Sequence, residues 1–246
     1  MYTYERKVTY SDVAWDGCVD AAQIVRYFQD CSTMQSDALG VGIDFLEQHQ
    51  HVWMLTAWQI DFKRRPRLGE NVVTGTWAYG FDAMYGYRNF ILKGAGKEGS
   101  DDGIYAVANS IWVLIDMKSG RPSKLTPEDV EGYGTEEKYA MDYEPRRIRL
   151  PKVMEDKEAF YVTRSDLDTN RHVNNARYIS MALEYLEDEE DIRQLRVEYK
   201  RSAVYGDRIC PRVHREPGVV TVALCSRDGQ VYVTVEMKLY DNTTTV

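Results

Sequence analysis

The fold is decided by the stretch VTYSDVAWDGCVDAAQIV, Val8 to Val25, because VTRSDLDTNRHVNNARYI, Val162 to Ile179, aligns with it without gaps. A second matched pair follows in the same order: IDFKRRPRLGENV, Ile60 to Val72, aligns with VEYKRSAVYGDRI, Val197 to Ile209. Self-similarity of this kind is the signature of a repeated structural unit. The sequence therefore predicts an internal duplication.

Each copy carries the same order of elements, a helix followed by strands. In the second copy, apolar residues recur at helical spacing after Asn174 and Asn175, and the alternation from Val231 to Leu239 predicts an antiparallel strand. In the first copy, strands are predicted at residues 55–62, 72–79, 87–93 and 105–116, after a helix that carries Ile24, Phe28 and Cys31. We therefore expect an α+β fold of two units, each with one long helix against a curved antiparallel sheet.

Three segments make up the predicted domain organisation. Residues 1–125 form the first unit, and residues 156–246 form the second. The segment between them, 126–155, is rich in Pro, Gly and acidic residues and shows no clear periodicity. We expect it to be a linker that partly packs on the surface.

Composition limits the classes of function. The chain is 43% hydrophobic and 28% charged, as in ordinary globular proteins, and its net charge of −8 argues against nucleic acid as a general partner. No apolar run approaches the roughly 20 residues of a membrane span, and the opening residues do not resemble a signal peptide. The four cysteines form no CxxC pair. We expect a cytoplasmic protein with reduced thiols.

Polar residues distinguish the second copy from the first. Asp168, Asn170 and His172 have no matching residues in the first copy, whereas several neighbouring positions recur and are assigned to the fold. They precede the predicted helix, where unpaired backbone N–H groups and the helix dipole favour negative charge. Glu198, on a predicted strand, is the fourth candidate. It aligns with Asp61, so a structural role such as an ion pair remains open.

The segment SDLDTNRHVNNARYISMALEYLE, Ser165 to Glu187, resembles the signature of the acyl-acyl carrier protein thioesterases, and the match continues through VEYKRSAVYGD, Val197 to Asp207. The resemblance implies a double hotdog fold and hydrolysis of fatty acyl thioesters. It places the family's functional Asp, Asn, His and Glu on Asp168, Asn170, His172 and Glu198. Where plant members carry a Cys once proposed as the nucleophile, this chain has Tyr199, which puts a thiolate mechanism in doubt.

The mechanism expected from these residues needs no cofactor. Asp168 or Glu198 would activate water or attack the thioester directly. His172 and Asn170 would orient the reactants, and the backbone N–H groups of Val173 and Asn174 would polarise the carbonyl. No metal site is predicted, because Asp168 and His172 lack the further His or Cys ligands that zinc normally needs.

Two larger sets of residues are assigned to substrate and partner. The first unit is expected to bind the acyl chain through large apolar side chains, although the alternative for most of these is plain core, since aromatic residues dominate cores. They are Trp53, Met54, Trp58, Trp77, Tyr85 and Trp112. Clustered basic residues are expected to contact an acidic acyl carrier protein, unless they are only a solvated surface. They are Lys63, Arg64, Arg65, Arg67, Arg146, Arg147, Lys200 and Arg201.

Two rival functions stay open at this point. Hotdog units also serve dehydratases and hydratases that act on 3-hydroxyacyl thioesters, and a non-catalytic acyl-carrier binding protein would keep the same basic and apolar surfaces. Acyl length, preference for carrier protein or coenzyme A, and the choice between monomer and homodimer are not predicted. The expected partner is acyl carrier protein with a phosphopantetheine-linked acyl chain, and neither nucleic acid nor a membrane is expected.

Overall fold

The computed structural model describes residues 1–96, 103–188 and 190–241. The chain forms two compact units. The first consists of Met1–Thr56 and Phe62–Tyr143, and the second of Ala57–Asp61 and Glu144–Val246. By packing, residues 126–143 therefore belong to the first unit, whereas the sequence assigns them to a linker.

The first unit is an antiparallel sheet with a long helix. Its strands follow the order β1-β3-β4-β5-β2. The bounds are β1 Tyr2–Lys7, β2 His51–Phe62, β3 Asn71–Asp82, β4 Tyr85–Gly94, β5 Ile104–Asp116 and β6 Arg121–Pro122, with α1 Ala21–Ala38, α2 Ile43–Gln48 and α3 Pro127–Val130. Strand β2 divides between the units, since Ala57–Asp61 packs with the second.

Helix α1 buries one face because its apolar residues recur at helical spacing. Ile24, Phe28 and Cys31 are fully buried, and the Phe28 ring lies 5.1 Å from that of Phe90 on β4. Full burial of Ile24 and of Phe28 contributes roughly 1.5–3 kcal/mol each. Asp20 caps the start of the helix by accepting a hydrogen bond from the backbone N–H of Gln23 at 2.6 Å.

The second unit repeats this plan. Its strands are β7 Glu155–Asp156, β8 Phe160–Tyr161, β9 Ile192–Tyr199, β10 Arg208–Glu216, β11 Val219–Cys225 and β12 Val231–Leu239, and its helix is α4 Asn175–Leu183. The order is β9-β12-β11-β10-β7, and residues Ala57–Asp61 of β2 pair with β9. The predicted α+β class is confirmed. The helix of the second unit is the shorter one, since α4 has nine residues against 18 in α1.

Hydrogen bonds repeat at the positions that the alignment pairs. The N–H of Val8 donates to Glu70 O at 2.8 Å, and that of Val162 donates to Asp207 O at 2.9 Å. A further pair behaves likewise: Val19 N–H to Pro66 O at 2.8 Å, and Val173 N–H to Ala203 O at 2.9 Å. The predicted duplication is therefore confirmed as a repeat of structure.

Asp166 is a carboxylate with a structural role in the second copy, and Asp12 occupies the aligned position in the first. Its carboxylate accepts hydrogen bonds from the backbone and hydroxyl of Thr163 at 2.7 Å each, and from Arg177 at 2.7 and 3.0 Å. Burial alone would raise the pKa of Asp166, but the bonds from Thr163 and Arg177 outweigh it and lower the pKa. The first copy matches this with Asp12, Thr9 and a neutral Gln23.

Asp166→Asn is expected to lower the free energy of unfolding at pH 7 by about 1 kcal/mol. A carboxylate with a depressed pKa in the folded state stabilises the fold above its unfolded pKa of about 3.9, and this stabilisation is lost as pH falls through the folded value. Urea unfolding of wild type and variant at pH 7 and at acidic pH measures the difference, which should shrink on acidification. Asp12→Asn is the matched control, and a smaller effect is expected there because Gln23 carries no charge.

No helix in residues 1–96, 103–188 or 190–241 is long and apolar enough to cross a membrane.

Candidate active site

The loop before α4 is closed by Asp168. Its backbone N–H donates to His172 O at 2.7 Å, and its Oδ1 accepts from the N–H groups of Asn170 at 2.8 Å and His172 at 3.1 Å. Asp168 thus performs the turn-forming role that aspartates favour. No hydrogen bond or ion pair reaches its second oxygen, Oδ2, from the described residues. One carboxylate oxygen holds the loop, and the other is available.

Arg171 takes a backbone conformation that is rare for its residue type. Its φ is +61°, and its counterpart in the first copy is Gly17 with φ +74°. Non-glycine residues in this region cost roughly 1 kcal/mol or more and often mark functional sites. The same conformation makes the same tight turn in both loops, but only the second loop carries the polar cluster.

The side chains of Asn170 and His172 are available for a ligand. Asn170 is exposed and His172 is half-buried, and His172 forms an isolated bridge to Val204 through its backbone. Within the part of the chain that the structure describes, neither side chain makes a hydrogen bond or an ion pair. A polar side chain without an internal partner beside a helix start fits a substrate-contacting role.

The start of α4 corrects one prediction. The N–H of Val173 donates to Ala203 O at 2.9 Å, and the N–H of Asn174 donates to Asp166 O at 2.8 Å. Both donors that the sequence assigned to the carbonyl oxygen are therefore engaged in holding the loop. Asn174 instead caps the helix, its Oδ1 accepting from Ala176 N–H at 2.9 Å. Among the described residues, the N–H of Asn175 is left without an acceptor, at the positive end of the helix dipole.

Glu198 lies on β9 with a side chain that is 13% exposed. Its Oε2 accepts from Ile148 N–H at 3.1 Å and lies 3.5 Å from Lys200 Nζ. The ion pair that the sequence left open is therefore present. As in Asp168, one carboxylate oxygen is anchored. The other oxygen, Oε1, accepts no hydrogen bond from the described residues.

Tyrosines link β9 to the helix start. The hydroxyl of Tyr199 donates to Asn175 O at 3.0 Å, and its ring lies edge-on to that of Tyr178 at 6.2 Å. Burial raises the pKa of Tyr178, and the carboxylate of Asp168 contributes in smaller part to that rise. Burial also raises the pKa of Tyr199 well above its usual range, so its hydroxyl acts as a neutral donor.

The four predicted residues are thus brought together only in part. Asp168, Asn170 and His172 share one loop and are tied by direct hydrogen bonds. Glu198 is connected to that loop through its neighbour Tyr199 and the start of α4, and no direct bond joins it to the other three in the described residues. The sequence did not predict the roles of Asn175 and Tyr199, although the HVNN motif contains the first of these.

The predicted acyl-binding residues differ widely in burial. Trp58 and Trp77 are buried, Trp53, Tyr85 and Trp112 are half-buried, and Met54 is 38% exposed. Two indoles have fixed partners: Trp77 donates to Glu137 O at 2.9 Å, and Trp112 donates to Ser110 Oγ at 2.7 Å. Trp58 packs with the second unit and the remainder with the first.

The predicted docking residues lie largely at the surface. Exposed members are Lys63, Arg64, Arg67, Arg146, Arg147, Lys200 and Arg201. Arg64 pairs with Glu70 at 2.9 Å, and the half-buried Arg65 pairs with Asp16 at 2.5 Å. Arg201 donates to the side chain of Gln230.

Within the described ranges, no group of three or more His, Cys, Asp or Glu side chains is placed to hold a metal ion. The available groups at the loop are a carboxylate oxygen, an amide, an imidazole and a backbone N–H. Such a set can activate water and stabilise a developing oxyanion.

Two α+β units with an antiparallel sheet and a polar loop before the second helix define a double hotdog protein. Residues 1–133 match the family model "Acyl-ACP thioesterase N-terminal domain", and residues 151–239 match "Acyl-ACP thioesterase C-terminal domain". The chain belongs to the acyl-ACP thioesterase family.

Solved structures share the fold over nearly the whole chain. An acyl-ACP thioesterase from Bacteroides thetaiotaomicron superposes with a TM-score of 0.87 at 20% identity and covers 97% of both chains. A 12:0-ACP thioesterase from Umbellularia californica gives a TM-score of 0.81 at 18% identity, again over 97% of both. At these identities the likeness establishes the fold.

A curated relative gives the sequence comparison. The chloroplastic acyl-[acyl-carrier-protein] hydrolase FATB2 of Cuphea viscosissima is 26% identical over 163 residues, which are 61% of this chain and 38% of that protein. The match therefore spans about two fifths of the length of this relative.

Proposed function

We propose that this chain hydrolyses the thioester between a fatty acyl group and acyl carrier protein, releasing a free fatty acid and the carrier-protein thiol. Membership of the family supports the reaction class. The observation that carries the assignment to the second unit is the loop of Asp168, which is fixed by one carboxylate oxygen. The other oxygen and the side chains of Asn170 and His172 have no hydrogen-bond partner among the residues that the structure describes.

Thioester hydrolysis makes unequal demands on the protein. The leaving thiol has a pKa of roughly 8.5, so it departs as thiolate with little assistance. Activating water and holding the oxyanion are the harder tasks. In the proposed step, water attacks the carbonyl carbon, its proton passes to a carboxylate, and the C–S bond then breaks to give acid and thiol.

The carboxylates of Asp168 and Glu198 are both suited to act as the base. Each has one anchored oxygen, which fixes its orientation, and a second oxygen that can accept a proton from water. Asp168 shares its loop with the other polar groups, so we assign the base to Asp168. Glu198, oriented by the bond from Ile148 N–H, is assigned to hold the attacking water through the negative charge of its second oxygen.

The carbonyl oxygen is assigned to the N-terminus of α4. The N–H of Asn175 replaces those of Val173 and Asn174, because it lies at the first position of the helix and has no acceptor among the described residues. The helix dipole favours negative charge there, and the amide of Asn170 and the imidazole of His172 supply further polar contacts.

The test follows thiol release and free fatty acid together on a purified acyl-acyl carrier protein. Equal amounts of both are expected. A disulfide reagent detects the thiol, and a sample without substrate corrects for Cys18 and Cys210, which are not fully buried. An enoyl thioester without thiol release would instead indicate a dehydratase, and binding without any product would indicate a carrier-binding protein.

The predicted acyl-binding set gives a prediction on chain length. Met54→Trp is expected to shift preference toward shorter chains, because added volume displaces methylenes of the substrate. Each displaced methylene changes relative kcat/KM by about 10-fold to 200-fold. Competition within a mixed acyl-carrier pool, with fatty acids analysed by mass spectrometry, measures the shift. Met117→Trp is the matched control, since Met117 is exposed and lies outside the set; an unchanged profile for Met54→Trp would remove this residue from substrate selection.

The basic residues give a prediction on carrier docking. Arg147→Glu is expected to raise KM for acyl-acyl carrier protein by about 10-fold with kcat unchanged, because exposed charges mainly affect encounter with an acidic partner. Steady-state kinetics across ionic strength should show a weaker salt dependence in the variant. Lys118→Glu, an equal charge change outside the set, should leave KM close to wild type. Equal KM values for the two variants would contradict docking of the carrier protein at Arg147.

A further inference from the structure

A second cluster of catalytic residue types lies in the first unit, away from the loop of Asp168. His51 begins β2, Ser123 follows β6, and Asp129 lies in α3. His51 Nε2 is 3.4 Å from Ser123 Oγ, and His51 Nδ1 is 3.3 Å from Asp129 Oδ1. The imidazole therefore bridges a hydroxyl and a carboxylate through its two nitrogens.

The carboxylate of this cluster, that of Asp129, is fixed and buried. Asp129 is 3% exposed, and its Oδ2 accepts from both the backbone and the hydroxyl of Thr126 at 2.8 Å each. These bonds leave Oδ1 directed to His51. A buried carboxylate on Nδ1 selects the tautomer in which Nε2 can accept a proton, as a nucleophile–base pair requires.

The hydroxyl is held at an accessible position. Backbone bonds fix both sides of the turn, from Ser123 N–H to Leu114 O and from Leu125 N–H to Ala83 O, each at 2.9 Å. Ser123 itself is half-buried. Between the two fixed residues, the N–H of Lys124 has no acceptor among the described residues. A donor on the residue after the nucleophile is a common component of an oxyanion hole.

We infer that Ser123, His51 and Asp129 form a second nucleophilic site, one that attacks uncharged carboxylic esters. Ser123 Oγ bonds to the ester carbonyl carbon while its proton passes to His51 Nε2. The ester C–O bond breaks, and the alcohol leaves with that proton. Water then attacks the acyl-serine, gives its proton to His51 and releases the acid, which restores the hydroxyl.

Charge around the imidazole favours an uncharged substrate. Asp129 contacts His51 directly, and Asp116 also interacts with it electrostatically: the pKa of Asp116 is lowered mainly by the Ser119 backbone and in smaller part by His51. Two acidic neighbours disfavour an anionic ligand. The negative charge of Asp129 and Asp116 therefore makes this site unsuited to an acidic carrier protein.

The test treats the full chain with a fluorophosphonate, which labels nucleophilic serines. Hydrolysis of p-nitrophenyl acetate by the same variants measures ester cleavage and should fall together with the labelling. A phosphonyl adduct on Ser123 is expected in peptide mapping, and His51→Gln should slow its formation by about 100-fold or more. Ser123→Ala should remove the adduct, whereas Ser119→Ala, a control in the preceding turn, should keep it. Thermal melting confirms that each variant is folded.

Two outcomes would overturn the inference. One is the absence of an adduct at Ser123 in folded wild type, and the other is equal labelling of wild type and His51→Gln, which would make the contacts purely structural. Thioester turnover of the same variants is measured alongside. Because Ser123 and His51 take no part in the proposed thioester step, loss of labelling with full thioester turnover separates the two sites.

Discussion

Asp168→Ala is expected to lower turnover of acyl-acyl carrier protein by about 100-fold to 1,000-fold. The change removes the proposed base, and it also removes the oxygen that accepts from the backbone of Asn170 and His172. Steady-state kcat and kcat/KM measure the loss. Asp168→Asn keeps an oxygen acceptor for the loop but has no carboxylate, so an equally large loss there would assign the effect to proton transfer.

The first copy offers the matched control for this loss. Asp16 Oδ1 accepts from Cys18 N–H at 3.0 Å and closes the equivalent turn. Asp16→Ala should therefore perturb a loop of the same kind while leaving kcat near wild type. If Asp168→Ala is folded and retains turnover within a few-fold of Asp16→Ala, the assignment of the base is wrong.

Glu198→Gln is expected to lower turnover by about 100-fold, with a smaller effect on stability. Glutamine preserves an oxygen that can accept from Ile148 N–H, so β9 keeps its position, whereas the negative charge beside Lys200 is lost. A fall in kcat with an unchanged melting temperature would give Glu198 a role in the reaction. A lowered melting temperature with normal kcat would leave it as the ion-pair residue that the sequence also allowed.

Asp61 provides the comparison for Glu198. It occupies the aligned position in the first copy and accepts from Gln194 Nε2 at 2.8 Å. Asp61→Asn keeps an oxygen in that place and should leave kcat unchanged. Equal effects of the two substitutions would show that the acidic residue serves the fold in both copies.

The duplication was the part of the fold that the sequence predicted best. Paired positions such as Thr9 and Thr163 make the same local hydrogen bonds, and these bonds depend on residues close together in the chain. Strand β10 was not predicted, because its sequence contains Pro211 and proline within a run argues against a central strand. Long-range pairing places it between β11 and β7.

The candidate site was predicted in residue type more than in geometry. Comparing the two copies was sufficient to select Asp168 and His172 as candidates, because their chemistry is absent from the first loop. The fate of each backbone N–H was not predictable, since the acceptors of Val173 and Asn174 depend on how distant segments fold back. Arg88 shows the same limit in the first unit: it lies on a strand, yet only packing reveals that it is 8% exposed and donates to Gln35.

The most direct test of the central claim is the single-turnover rate of fatty acid release by His172→Ala on acyl-acyl carrier protein, compared with wild type. The imidazole has no partner among the described residues, so its removal should leave the fold intact and lower the rate by about 100-fold. A folded variant that releases fatty acid at the wild-type rate would contradict the assignment of the reaction to this loop.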